Sequence, residues 1–359
     1  MRGHEPAPGT LSAMSDGPRS ETVAQEGDPQ ASPAPPRRRT SRWRRVLRRA
    51  VVVVVGSWLA GTLLAVVYVL TTGGSLGRPA LGPSHHDVRT GDLVTHYEQW
   101  GTSGPPVVLV HGFLESSSVW DLAGPMLAAR GYRVYALDVR GFGYTERRGP
   151  YTLDSDTDQL RAFLGALHLT PADRAVPLLV GHSSGAAIVT DLALRDPGAA
   201  RRIVLMDGDG TPYGAGPTFV HALVVDPYAT ALVRLFTRHP ALAASAVYGR
   251  ACGPGCPPFD ADAWTRPFRV DGAEPALVDI LGQPLIGLTY AQEEQVHVPA
   301  TIVYGTEDPQ MSADDATATA RRLRTADVVP LPGAAHLGML SHPALLVDAV
   351  DAAARSTTP

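Results

Sequence analysis

The stretch PLLVGHSSGAAIV at residues 177–189 places a serine between a short apolar run and an alanine-rich segment. The apolar run predicts a strand, and Ser183–Arg195 has the composition of a helix. In this strand–turn–helix context, the spacing G-x-S-x-G is typical of a sharp turn that exposes the serine hydroxyl at the start of the helix. Gly181 and Gly185 suit such a turn, because strand and helix pass close together there. The pattern predicts that Ser183 is a nucleophile.

Strand-like and helix-like segments alternate on both sides of this turn. Short apolar runs predict strands, and apolar residues at helical spacing predict helices. Strands that alternate with helices form a mostly parallel sheet with helices on both faces, so an α/β fold is expected. The predicted strands are Val107–Val110, Arg133–Asp138, Arg202–Met206, Ala300–Tyr304 and Asp327–Leu331, and the predicted helices are Ser116–Arg130, Asp154–Leu167, Ala313–Arg324 and Pro343–Ala354.

The alternation stops between Asp207 and Val298. This stretch is too long for a loop in a compact domain, so it is expected to contain helices of its own. Ligands bind to open α/β sheets at the carboxyl ends of the strands. We therefore interpret residues 207–298 as a cap over this end of the sheet, inserted between core segments 85–206 and 299–355.

A histidine late in the chain is the expected base. A serine hydroxyl is a weak nucleophile until a base accepts its proton. In this arrangement an acid and then a histidine follow the serine along the chain. His336 in PGAAHLGML lies between the last predicted strand and the last predicted helix, which is a loop at the ligand-binding end. His342 is the nearest rival, but it immediately precedes Pro343 at the start of the helix, so we predict His336.

The acid is predicted at Asp308, in the segment YGTED directly after the strand at 300–304. Its carboxylate would hold the imidazole in the required tautomer and stabilise the imidazolium. Asp207 and Asp209 follow a different strand and remain the alternative acids.

The segment His111-Gly112-Phe113 follows the strand Val107–Val110. A glycine at this point lets the backbone turn so that an amide N–H faces the nucleophile. The N–H groups of Phe113 and Ser184 are therefore the predicted donors of an oxyanion hole. Hydrolysis by these groups needs no cofactor, and none is expected.

These segments resemble the α/β-hydrolase superfamily over roughly Thr90 to Ala354. The matching motifs are HGF at 111–113, DVRGFGYT at 138–145, GHSSG at 181–185, YGTED at 304–308 and His336. The resemblance implies the α/β-hydrolase fold, a Ser-His-Asp hydrolase and a helical cap after the sixth strand. Epoxide hydrolases and haloalkane dehalogenases of this superfamily use an aspartate nucleophile. Ser183 stands in its place here, so their ester-alkyl chemistry is not expected.

The resulting expectation is a serine esterase for small to medium apolar ester substrates. One alternative is a perhydrolase, a lyase or an iminopeptidase. An iminopeptidase needs acidic residues in the cap, where Glu293 and Glu294 are the adjacent pair. Another alternative is a non-catalytic binding module of the same fold, although such modules usually lack a member of the triad.

An uncharged apolar run, Ala50–Leu70, precedes the globular part of the chain. Its length spans a hydrocarbon core of about 30 Å. Arginines crowd its N-terminal side, so the positive-inside rule predicts a single-pass cell-membrane protein with a cytoplasmic N-terminus and an extracytoplasmic catalytic domain. A cleaved signal peptide and a buried core helix are the alternatives. Residues 1–49 are expected to be a disordered basic segment, and residues 71–84 a linker.

Charge and cysteine content limit the other partners. The formal net charge is −4, whereas nucleic-acid-binding domains are usually basic, so no nucleic-acid partner is expected. Cys252 and Cys256 flank a Gly-Pro-Gly turn that could bring them together as a disulfide in an oxidising compartment. Two free thiols are the alternative. No adjacent histidine or third cysteine accompanies them, so no metal site is expected.

Overall fold

The computed structural model describes residues 40–211, 225–239, 248–283, 287–324 and 326–356. Within these residues, eight strands form one sheet: β1 (His85–Thr90), β2 (Leu93–Trp100), β3 (Pro106–Val110), β4 (Arg133–Leu137), β5 (Leu178–His182), β6 (Arg202–Met206), β7 (Ala300–Gly305) and β8 (Ala326–Leu331). Their order across the sheet is β1-β2-β4-β3-β5-β6-β7-β8. β2 is antiparallel to both of its neighbours, and the other pairs are parallel.

Helices precede the sheet, connect its strands and form the described part of the cap. Short 3-10 helices occur at Ser117–Trp120, Pro171–Asp173 and Arg266–Arg269. The α-helices are α1 (Thr40–Thr71), α2 (Ala123–Ala129), α3 (Leu153–Ala166), α4 (Ser184–Arg195), α5 (Tyr228–Arg238), α6 (Gly249–Cys252), α7 (Ala261–Thr265), α8 (Ala273–Gly282), α9 (Tyr290–Glu293), α10 (Ala313–Leu323), α11 (Gly338–Ser341) and α12 (Pro343–Arg355).

Two apolar cores lie on opposite faces of the sheet. All residues of β3, β5 and β6 are buried, as expected for parallel strands covered on both sides. Side chains alternate along a strand, so Val108 and Val110 pack in the core that includes residues of α3, α4 and α10. Val107 and Leu109 pack in the core that includes residues of α2 and α12. The predicted architecture, with an insertion after the sixth strand, is confirmed.

The strand register brings the loops after β3, β5, β6, β7 and β8 to one edge. Gly181 pairs with Val110 on one side, and its neighbour His182 pairs with Met206 on the other. Gly305 pairs with Leu331 at the far end of the same row. Segments that are distant in sequence therefore meet beside Ser183.

One predicted helix is wrong in its extent. Ser116–Arg130 is a 3-10 helix at Ser117–Trp120 followed by the separate helix α2. Pro125 explains the break, because a proline ring clashes with the carbonyl group four residues earlier and cannot donate an N–H. A single continuous helix through this segment is therefore unfavourable.

α1 is an apolar helix that begins earlier than the predicted span. The most apolar window of its segment Arg42–Thr71 has a mean hydropathy of 2.4, and 6% of that window is buried. The helix is therefore long and apolar enough to cross a membrane. Residues 40–49, which we expected to be disordered, are helical, in keeping with the good helix propensity of arginine. Residues 1–39 lie outside the described residues.

Candidate active site

The turn between β5 and α4 holds Ser183 with φ of 51° and ψ of −120°. Residues other than glycine rarely adopt a positive φ, and such strain concentrates at functional sites. A Cβ atom on Gly185 would lie 2.5 Å from the carbonyl oxygen of Val110, and one on Gly181 would meet the carbonyl group of Gly185. Both positions therefore require glycine for the strand and helix to approach this closely.

Ser183, His336 and Asp308 form a continuous chain of hydrogen bonds. Nε2 of His336 lies 3.1 Å from Oγ of Ser183, and Nδ1 of His336 lies 2.9 Å from Oδ2 of Asp308. The carboxylate at Nδ1 fixes the imidazole proton on that atom, so Nε2 is free to accept the serine proton. His336 is 5% exposed, and the Asp308 side chain is fully buried. Three loops, after β5, β7 and β8, supply the three side chains.

Asp207, an alternative acid, is a neighbour of Asp308 but is not part of this chain of hydrogen bonds. Its Oδ1 accepts a hydrogen bond of 2.7 Å from the N–H of Gly305. Burial, followed by the nearby Asp308 carboxylate, raises the pKa of Asp207 well above its usual value. The raised pKa disfavours a second negative charge beside Asp308, and Asp207 makes no hydrogen bond to His336 among the described residues.

The two other rivals have partners of their own. Oδ1 of Asp209 accepts a hydrogen bond of 2.7 Å from the hydroxyl of Thr211. Nδ1 of His342 lies 2.9 Å from Oγ of Ser341. Neither side chain belongs to the chain of hydrogen bonds at Ser183.

The backbone N–H groups of Phe113 and Ser184, the predicted oxyanion donors, lie on the two segments that flank Ser183. In the described part of the chain, the N–H groups of Phe113 and Ser184 donate no hydrogen bond to another protein group. A Cβ atom on Gly112 would lie 2.9 Å from Cβ of Ser183, so glycine permits the loop after β3 to pass beside the serine. Ser184 opens α4, where first-turn N–H groups lack helical acceptors. Both groups are available to an oxyanion.

A buried ion pair that the sequence analysis missed supports these loops. Nδ1 of His182 lies 3.0 Å from Oε2 of Glu115, which also accepts a hydrogen bond of 2.7 Å from the N–H of Gly112. Nε2 of His182 donates to the carbonyl oxygen of His336 at 2.8 Å. The pair thus connects the loop after β3, the turn at Ser183 and the loop that carries His336. Its residues are far apart in sequence, so no local pattern could have identified it.

We expect this pair to make stability depend on pH above neutrality. Burial lowers the pKa of His182, but the Glu115 carboxylate and Asp207 outweigh burial and raise the pKa to about 9, from 6.5. A raised folded-state pKa stabilises the protein fully below the unfolded value, and this stability is lost as pH rises through the folded value. The free energy of unfolding should fall by roughly 3 kcal/mol between pH 6.5 and 9. Urea denaturation at several pH values between 6.5 and 9 measures this fall in the free energy of unfolding.

Glu115→Gln is the matched control, since it keeps the shape of the side chain and removes its charge. The variant should be less stable, and its slope between pH 6.5 and 9 should be shallower than that of wild type, because His182 is then neutral. Glu98, whose pKa burial raises to about 9, keeps its own contribution to the slope. A wild-type protein with no slope in this range would contradict the ion pair.

Among the described residues, two cavities border Ser183. The first, of about 170 Å³, is largely apolar, and its lining includes Phe113, Phe142 and Ile188. The second, of about 230 Å³, borders His336 and is lined in part by Trp264 and other aromatic residues of the cap. The two cavities provide separate space for the groups on either side of a reacting bond.

Cys252 and Cys256 form a disulfide at the end of α6. Cys252 is buried in the core beside α12. The carbonyl oxygen of Ala251 accepts a hydrogen bond of 2.9 Å from the N–H of Leu337, which follows His336. The disulfide therefore stabilises a cap segment that directly contacts the His336 loop.

Replacement of both cysteines by serine should lower the free energy of unfolding by about 2 kcal/mol, the value expected for a loop of this size. The physical reason is the larger conformational freedom of the unfolded chain without the bridge. Urea denaturation of the two proteins without reductant measures the loss. Reaction of native wild-type protein with maleimide would instead identify free thiols.

Comparisons with known proteins show the family of this chain and similarities of sequence and fold. Residues 107–349 match the family model of the α/β hydrolase family. An uncharacterized protein of Mycobacterium tuberculosis is 26% identical over 271 residues, which cover 72% of this chain and 77% of that protein. The 2-hydroxymuconate semialdehyde hydrolase of Pseudomonas sp. is 37% identical over 116 residues, which cover 31% of this chain and 39% of that enzyme. A thermophilic esterase from Thermogutta terrifontis has a TM-score of 0.61 at 20% identity and covers 77% of this chain and 99% of its own, a similarity of fold.

Proposed function

Because this chain belongs to the α/β hydrolase family, we propose that it is a serine hydrolase that cleaves carboxylic esters through a covalent acyl-enzyme. The observation that carries this proposal is the continuous hydrogen-bond chain from Ser183 through His336 to Asp308. A nucleophile, a base and an acid that orients the base are the groups needed for acyl transfer.

The first half of the reaction acylates Ser183. Its Oγ attacks the ester carbonyl carbon while Nε2 of His336 accepts the hydroxyl proton. The N–H groups of Phe113 and Ser184 donate hydrogen bonds to the oxyanion that forms. The alcohol leaves with the proton from His336. Asp308 stabilises the imidazolium throughout and keeps its own negative charge.

The second half releases the acid. His336 accepts a proton from water, and the resulting hydroxide attacks the acyl carbon through a second oxyanion. The bond from the acyl carbon to Oγ then breaks, and Ser183 regains its proton from His336. The buried pair of His182 and Glu115 takes no proton in this scheme; it positions the loops that carry the reacting groups.

The cavities beside Ser183 support small to medium apolar ester substrates. Most of the surface that both cavities expose is apolar, and apolar groups bind where they lose contact with water. Glu293 hydrogen-bonds Arg322 and lines neither cavity, and Glu294 is exposed. The acidic pair therefore lends no support to an iminopeptidase.

Hydrolysis of p-nitrophenyl esters of graded acyl length tests the proposal. We expect turnover of short to medium acyl chains and a burst of p-nitrophenol that matches the enzyme concentration when deacylation is slow. The semialdehyde substrate of the Pseudomonas hydrolase is the comparison. Turnover of that compound without turnover of any ester would contradict an esterase.

We further propose that α1 anchors the protein in the cell membrane with the catalytic domain outside. The hydropathy of Arg42–Thr71 supports a membrane span, and the arginines on its N-terminal side support this orientation. Carbonate extraction should leave the full-length chain in the membrane fraction. Added protease should remove a C-terminal tag from intact spheroplasts and spare an N-terminal tag. Release of a chain that lacks α1 would identify a cleaved signal sequence instead.

A further inference from the structure

A buried carboxyl group lines the apolar cavity of about 170 Å³ beside Ser183. Asp156 is 6% exposed and belongs to the lining of this cavity, as Phe113 does. It lies on α3 four residues before Leu160 and seven before Phe163, which are both buried in the core. Residues at these spacings share one face of a helix. A polar side chain thus occupies a position in the apolar stripe of α3.

One carboxyl oxygen of Asp156 lacks a partner in the described part of the chain. Its Oδ1 is buried and has no hydrogen-bond partner among the residues that the structure describes. Buried polar groups are almost always hydrogen-bonded, so an exception needs an explanation. Burial raises the pKa of Asp156 well above its usual value, against the lowering effect of Arg140. The raised pKa favours the protonated carboxyl group, which can both donate and accept a hydrogen bond.

Arg140 makes no hydrogen bond to Asp156 among the described residues. It lines the same cavity, but its Nη2 donates to Asp92 at 2.9 Å and its Nη1 donates to the carbonyl oxygen of Arg148 at 2.9 Å. Its two Nη atoms are thereby held by other groups, whereas its buried Nε has no hydrogen-bond partner in the described part of the chain. Nothing in the residues that the structure describes satisfies Oδ1 of Asp156, and Asp156 lines a cavity that a bound molecule can enter.

We propose that Asp156 is a specificity-determining residue that hydrogen-bonds a hydroxyl group on the part of the substrate held in this cavity. A hydroxyl group can donate a hydrogen bond to a buried carboxyl oxygen and can also accept one from a protonated carboxyl group. The preferred substrate is then an apolar ester that carries a hydroxyl group on its acyl or alcohol portion. This inference rests on the proposed function for the reacting bond and adds the chemistry that selects the substrate.

Two series of esters test the inference on the full-length protein in detergent. Methyl esters of ω-hydroxyalkanoic acids are compared with methyl alkanoates, and diol monoacetates with alkyl acetates, at matched chain lengths. In at least one of the two series, the kcat/KM of wild type should be at least about tenfold higher for the hydroxylated ester than for the alkyl ester. The reason is that a site that binds a hydroxyl group rejects analogues without it. Asp156→Leu should lower kcat/KM for the hydroxylated ester by about 10- to 100-fold and leave the alkyl ester equal or better.

Two further variants separate recognition from structure. Asp156→Asn keeps a donor and an acceptor and should preserve the preference. Asp158→Asn alters an exposed carboxylate of α3 that pairs with Arg161 and should leave the preference unchanged. An unchanged preference in Asp156→Leu, or none in wild type, while esters are hydrolysed would overturn the inference and leave the proposed function intact.

Binding of ethers separates the inference from the proposed function. Hydroxyalkyl ethers and alkyl ethers of matched length have no bond to hydrolyse, and their Kd values for wild type are measured by titration calorimetry. Tighter binding of the hydroxylated ether, lost in Asp156→Leu, would support the inference even if no ester were hydrolysed. Equal binding of both ethers to wild type would overturn it.

Discussion

Ser183→Ala is expected to lower kcat/KM for p-nitrophenyl esters by about 10⁴- to 10⁶-fold, the range seen when a serine nucleophile is removed. The variant loses the atom that forms the acyl-enzyme and retains the oxyanion donors, so a small residual rate over water should remain. Steady-state kinetics with an activated ester measure the loss. Thermal unfolding of the same sample shows whether the variant is folded.

The adjacent serine provides the matched control. Ser184 contributes its backbone N–H to the proposed oxyanion hole, and Ser184→Ala retains that group. Its kcat/KM should fall by less than about tenfold. Equal losses in the two variants would show that Ser183 has no special role and would contradict the proposed mechanism.

Asp308→Asn should lower kcat by about 10⁴-fold while Asp207→Asn changes it by less than tenfold. An asparagine at 308 cannot stabilise the imidazolium and favours the wrong tautomer of His336, whose Nδ1 lies 2.9 Å from the present carboxylate. Burial raises the pKa of Asp207, and its side chain makes no hydrogen bond to His336 in the part of the chain that the structure describes, so an amide of the same shape should replace it with little effect on the base. Pre-steady-state kinetics compare the acylation rates of the two variants.

The two variants also decide between the acids that the sequence left open. Both substitutions conserve side-chain volume, so a difference between them reports on charge and tautomer. A large loss in Asp207→Asn together with a small loss in Asp308→Asn would assign the catalytic acid to Asp207 and contradict the geometry at His336.

The strands at the centre of the sheet could be predicted because buried parallel strands have short apolar runs in the local sequence. β6 has the predicted bounds. β5 begins one residue after and ends two residues after the predicted apolar run at 177–180. β1 has the polar sequence HHDVRT and lies at the edge of the sheet, where only pairing with β2 identifies it as a strand. β1 carries no apolar run, unlike the other edge strand β8, and β2 mixes apolar with polar residues, so the sequence analysis missed this hairpin.

Candidate site residues could be predicted where a motif sits at the end of a strand. Ser183, His336 and Asp308 each follow a strand, and their order along the chain predicts their roles. Glu115 and His182 meet only because the register of β3 and β5 brings their loops together. Asp156 had a local signal, since it interrupts the apolar face of α3 that continues with Leu160. Its lack of a partner, however, is a property of the tertiary structure alone.

Intact-mass analysis after treatment with a fluorophosphonate tests the central claim most directly, because the reagent forms a covalent bond with an activated serine. Wild-type protein should gain the mass of one adduct, and a peptide map should assign it to residue 183. Ser183→Ala should gain none, and Asp308→Asn should react far more slowly than Asp207→Asn. A folded wild-type protein that gains no adduct, or an adduct of equal yield on Ser183→Ala, would contradict a serine hydrolase built on Ser183, His336 and Asp308.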